Sequence, residues 1–154
     1  MYLSKETCVY HFTSLRKELY ISEFGHSKNW NKFRVSPYSR NVFIIDFVVD
    51  GGYNFCDTYI EKGHGCFITQ KKVHSMEGSI RECYWIGFDG NAAVKLMESI
   101  GFSRDDHGVF EIRALPYVTK VLKTAFVECS KEQNEEIALS ALMSILPFIT
   151  VEKV

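Results

Sequence analysis

No stretch of this 154-residue chain is long and apolar enough to span a bilayer: the longest apolar run, 42–49, is interrupted by Asp46. The N-terminus carries no apolar signal segment, so no membrane contact and a cytoplasmic location are expected. Charge of one sign is not in excess either. Eighteen basic and 19 acidic residues are mixed along the chain and leave a formal charge of -1, which offers no basic footprint for a phosphate backbone. The five cysteines, Cys8, Cys56, Cys66, Cys83 and Cys129, are odd in number and irregular in spacing, which excludes a disulfide scaffold and predicts reduced thiols. Gly-x-Ser-x-Gly, a phosphate loop and Gly-x-Gly-x-x-Gly are all missing. So are internal repeats, low-complexity segments and a linker, and one compact domain is expected.

What is present is apolar and aromatic: 46% of residues are hydrophobic, and 12 Phe and 8 Tyr raise the aromatic share to 14%. Either a barrel core or a ring-lined pocket would use them. Short segments rich in Tyr, Phe, Ile and Val predict strands over 19–24, 42–49, 53–59, 66–69 and 80–88. Gly51-Gly52 predicts a tight hairpin between two of them, and Lys62-Gly63-His64-Gly65 a second turn. After Asp89-Gly90 the period changes. Ala92, Ala93, Leu96, Met97 and Ile100 predict a short helix stopped by Gly101. A second helix is expected from Pro116 on the stripe Val118, Val121, Leu122, Ala125, Phe126 and Cys129. Ser130-Lys131-Glu132-Gln133 reads as a capping box for a third, which carries Ile137 to Ile149 and is ended or kinked by Pro147.

The segment Tyr84-Trp85-Ile86-Gly87-Phe88-Asp89-Gly90, followed by Ala93, Leu96 and Gly101-Phe102, resembles the Trp-x-x-Phe-x-Gly signature of the AraC family of bacterial transcription regulators. Val48-Val49-Asp50-Gly51-Gly52-Tyr53, Gly65-Cys66-Phe67-Ile68-Thr69 and Val73-His74 are similar in order and spacing to that family's hairpin, barrel strand and histidine segment. The resemblance covers 16–149. It implies a mainly β fold with C-terminal α structure: a cupin-like barrel, that is a double-stranded β-helix or jelly roll, followed by a helical hairpin. On that reading 1–110 form the effector-binding barrel with its short helix, and 111–154 form a helical dimerisation segment packed on it. The implied function is a non-enzymatic sensor of a small polar effector, with carbohydrate as one class. DNA would be reached only through helix-turn-helix domains missing from this chain.

Strand alternation puts Arg81, Cys83, Trp85 and Gly87 on one face of 80–88 and Glu82, Tyr84, Ile86 and Phe88 on the other. In sugar-sensing relatives the tryptophan matching Trp85 lies in the effector pocket; ordinary barrel core is the alternative. Arg34, expected just before the second strand, resembles in position an arginine that bonds ligand oxygens, against a solvated surface role. Asp46 stands alone among apolar neighbours, so it either faces a polar cavity or pairs with Arg34 or Arg40. His74 is expected to end a barrel strand at the pocket mouth, or to be a turn histidine. Cys83, Tyr20 and Tyr53 complete the expected ligand-binding set.

Enzymatic cupins hold a metal through a His-x-His pair, and here Tyr53-Asn54-Phe55-Cys56-Asp57 follows the glycines instead. No metal and no cofactor are therefore expected, and a cupin-type isomerase or dioxygenase is the alternative function. The third helix has more apolar surface than one contact needs, which predicts a homodimer through Leu139, Leu142, Met143 and Leu146. Its alternative is that both faces are intramolecular core.

Overall fold

The computed structural model describes residues 6–152, apart from the Ser36 side chain. The outermost limits of the expected segments, 1–5 and 153–154, lie outside the described residues. Among the described residues eight strands form one antiparallel sheet: β1 Thr7–His11, β2 Tyr20–Tyr38, β3 Phe43–Phe55, β4 Thr58–Glu61, β5 His64–Ile68, β6 His74–Asp89, β7 Gly108–Ile112 and β8 Ile149–Val151. Three helices accompany them, α1 Ala93–Ser99, α2 Leu115–Lys131 and α3 Glu135–Ile145, with a 3-10 turn at Leu146–Phe148. Pairing runs β1-β2-β6-β3-β5-β7-β8, with β4 added to β3. The protein is thus mainly antiparallel β with largely C-terminal helices.

The long strands β2, β3 and β6 carry the architecture, and all three change phase part-way. In β3, Phe43, Ile45, Phe47 and Val49 join a core under the helices, while Ile44 and Val48 join a second core on the opposite face. The register then slips at Asp50 and Gly51, and Tyr53 and Phe55, which strict alternation would send to the helical side, join the second core instead. Strand β6 shifts in step, with Tyr84, Ile86 and Phe88 under the helices but Ile80 and Cys83 both in the second core. Bulges of this kind bend and twist a strand. The sheet accordingly curls, so that residues of β2, β3, β5 and β6 line one shared, partly open space, barrel-like on that side.

Several expectations change. Gly51-Gly52 lies within continuous β3, with Gly51 at φ 77°, and the chain reverses at Cys56-Asp57 instead. Here positive φ serves a bulge and not a hairpin. Ser130 and Lys131 remain in α2, and Asn134 caps α3, its side chain accepting a 2.9 Å bond from the Glu136 amide. Ile149 belongs to β8 and not to a helix, because the turn at Pro147 returns the chain to pair with β7. The 110/111 division falls inside β7, which packs with both parts.

Leu142 and Leu146 are buried against the chain's own sheet and helices, so neither is available to a second copy. Leu139 is partly buried on the same core, and only Met143 of that set is exposed, at 46%. The amphipathic α3 uses its apolar face internally.

Candidate functional site

The curled side of the sheet forms a partly open cavity of about 60 Å³, space for a few water molecules. Its aromatic wall comes from Trp30, Phe33 and Tyr38 of β2 and Trp85 of β6, and its polar groups include Arg40 and Asp46. In the register, Asp46 sits between Trp85 on β6 and Cys66 on β5, which places its carboxylate at the centre of the sheet. Alternation in this half of β3 turns Asp46 away from Ile45 and Phe47 and into the curl.

Two buried carboxylates behave differently here. Glu23, 5% exposed on β2, is satisfied: Trp85 Nε1 donates to its Oε2 at 2.9 Å, and Arg40 donates to its Oε1 in an ion pair. Asp46 is 3% exposed and accepts a hydrogen bond from the Tyr53 hydroxyl on Oδ2, while its Oδ1 has no partner. The Tyr53 oxygen lies 3.3 Å from Cys66 Sγ. Burial pushes the Asp46 carboxyl up from 3.8 to about 7, with the Tyr53 bond and then the Phe47 backbone N–H acting in the opposite direction. Burial also raises Tyr53, Cys66 and Cys83, and the Asp46 charge adds to each. These groups stay neutral around an acid that titrates near neutrality.

Of the residues singled out by sequence, Trp85, Asp46 and Cys83 meet at this cavity, and Tyr53 stands behind Asp46 as its donor. Arg34 does not. It lies within β2 instead of before a strand, with an 83% exposed side chain 3.9 Å from Glu77. Arg40 lines the cavity, and it pairs with Glu23 and not with Asp46. Tyr20 sits at the far end of β2 opposite Asp89. His74 begins β6, where it was expected to end a strand, because the preceding turn at Gln70-Lys71 leaves it as the first paired residue, opposite Tyr38.

His74 is nevertheless buried, with its ring 4.4 Å from that of Tyr38 and 5.7 Å from that of His107, and neither of its nitrogens has a partner. Burial, helped by the neighbouring His107, lowers it to about 4. Glu23 and Tyr38 were missed by sequence reasoning. The signal for Glu23 was present, since it is an acid between Ile21 and Phe24 just as Asp46 is an acid between Ile45 and Phe47. Among the described residues no three His, Cys, Asp or Glu side chains come together in a group that could hold a metal ion. No helix there is long and apolar enough to cross a membrane.

No protein-family model matches this chain, and no curated protein matches it. Among solved structures it is similar to the protein YhaK from Escherichia coli, at 13% identity and a TM-score of 0.45. The likeness covers 55% of this chain and 44% of that one, so the chain spans less than half of that protein's length.

Proposed function

We propose that this chain is a small-molecule-sensing domain of the AraC type, a cupin-like barrel that binds a polar effector without turning it over and that pairs with a second copy through its helices. The observation that carries the binding reading is the Asp46 carboxylate, buried on the wall of a cavity with one oxygen unsatisfied. A buried acceptor without a partner costs about 1–3 kcal/mol, which a donor on a bound molecule would offset. DNA recognition is assigned on this reading to helix-turn-helix domains beyond these residues, in the bacterial cytoplasm.

With Leu142 and Leu146 buried, the surface open to a second copy is the groove between α2 and α3, about 780 Å³ and lined in part by Lys120, Val121, Thr124, Glu128, Ile137 and Ser140. A second copy fits its charge pattern. An antiparallel α2 crossing at Thr124 would set Lys120 of each copy opposite Glu128 of the other, the self-complementarity a two-fold axis requires.

One observation favours a second reading, a ligand-free interaction module: about 60 Å³ is far below the ~300–1,000 Å³ of a drug-sized ligand site. A thermal-shift screen of small polar molecules separates the two, because a ligand that binds only the native state raises its melting temperature. Hits whose effect disappears in Asp46→Asn are expected. A screen that yields none leaves the interaction module.

A further inference from the structure

We infer that the cavity selects a small organic ammonium ion, a cation of a few heavy atoms held by Asp46 beneath the rings of Trp30, Tyr38 and Trp85. The inference rests on the binding reading above and specifies its ligand. Three features of the site carry it. The first is charge: Arg40 and Glu23 neutralise one another across an ion pair, and Glu23 is further engaged by Trp85, so Asp46 is the acid left without a counter-charge among the described residues lining the space.

The second is hydrogen bonding. Asp46 Oδ1 can only accept while the carboxylate is ionised, and no well-formed hydrogen bond within the protein satisfies it. An N–H⁺ group supplies both the missing donor and the missing charge. A carboxylate ligand would bring like charge to Asp46 and would have to displace Glu23 from Arg40. The third is the wall. Trp30 and Phe33 stack at 4.6 Å, and with Tyr38 and Trp85 they make the wall of the space aromatic, a surface that attracts a desolvated cation. The free volume, about 60 Å³, suits a cation of methyl- or ethylammonium size.

Proton linkage follows from the same geometry. The groups facing Asp46 are Tyr53 on its own strand, Cys66 on β5, Cys83 on β6, and Tyr38 and Arg40 from β2 and the loop after it. The three groups nearest in that set, Tyr53, Cys66 and Cys83, are all held neutral, so Asp46 sets the pH response. Its carboxyl titrates at about 7, whereas an alkylammonium, like lysine, keeps its proton to about pH 10. Ammonium binding should therefore weaken up to tenfold per pH unit below 7 and level off above it.

The test is calorimetric titration of the whole chain with ethylammonium chloride, ethanol and sodium acetate, at pH 5.5 and pH 8. Expected are binding of ethylammonium at pH 8, at least tenfold weaker binding at pH 5.5, and loss of binding in Asp46→Asn. The pH arm uses the parent protein, so the outcome does not depend on that variant folding. Ethanol or acetate binding as tightly as ethylammonium, or pH-independent ammonium binding, overturns the inference while leaving a small-molecule sensor. Binding of none of the three, together with an empty wider screen, overturns both.

Discussion

Asp46 and His74 are both buried, and their titrations oppose each other. The folded chain keeps a proton on Asp46 up to about pH 7 that the unfolded chain releases near 3.8, so this group lowers stability as pH rises between those values. His74 is held near 4 when folded and near 6.5 when unfolded, so it raises stability across pH 4 to 6.5. Each has a limiting slope of about 1.4 kcal/mol per pH unit, and over the shared window they cancel. Urea unfolding at half-unit pH steps should therefore show a gain from pH 4 to 6.5 in Asp46→Asn and a loss in His74→Phe, both relative to the parent. Profiles parallel to the parent would mean that neither group is shifted. Gly25 is the other sensitive position: it pairs with Trp85, whose indole occupies the space a Cβ would need. Gly25→Ala should displace the ring from Glu23 and cost about 1–3 kcal/mol, with a shift in Trp85 emission measured in a Trp30→Phe background.

At the scale of elements, the bulge in β3 decides which side chains reach the cavity. Up to Val48 the even-numbered residues turn to the cavity's side of the sheet, where Ile44 and Asp46 line it; beyond Gly51 the odd-numbered Tyr53 and Phe55 turn to that side. Without that slip Tyr53 would leave the second core, and Asp46 would lose the hydrogen bond from the Tyr53 hydroxyl. Gly51 sits at φ 77°, and a Cβ there would lie 3.0 Å from the Arg81 amide nitrogen. Gly51→Ala should destabilise the fold by about 1–3 kcal/mol. It should also raise the Asp46 pKa further, because straightening β3 withdraws Tyr53; carboxyl titration by NMR reads the shift. An unchanged Asp46 titration would show that the bulge does not hold Tyr53 in place.

At the scale of the molecule, one face of the sheet is closed by the helices and the other curls on itself, so the cavity and the helical groove lie on opposite faces of one sheet. The two-fold pairing predicted for α2 is tested by charge exchange. Lys120→Glu should weaken association at least tenfold in sedimentation across a concentration series, by facing Glu128 of the second copy, and Lys120→Glu with Glu128→Lys should restore it. A parent that stays monomeric at high concentration defeats the pairing, and an unaffected dimer in the single variant places the interface elsewhere. Leu142→Lys is the contrasting case: as a buried side chain it should unfold the domain and not merely separate copies.

Local pattern was sufficient for some of this. Strand alternation around Trp85 put Cys83 and Trp85 on one face and Tyr84, Ile86 and Phe88 on the other, and an acid isolated among apolar residues marked Asp46 as a group in need of a partner. The helical stripe of α2 is likewise internal to its own sequence, since Val118, Leu122, Ala125 and Cys129 all turn inward. Long-range pairing decided the rest. Strands β1, β7 and β8 are short and gain their order from neighbours distant in sequence, and the glycines read as a hairpin became a bulge because β6 continues to pair on both sides of them. The arginine at the cavity is Arg40 and not Arg34 because the loop after β2 brings Arg40 to Glu23 while Arg34 is exposed within the strand, and Leu142 and Leu146 are core and not interface because the sheet is there to cover them. Amphipathicity records that a face must be buried; only the assembled sheet determines against what.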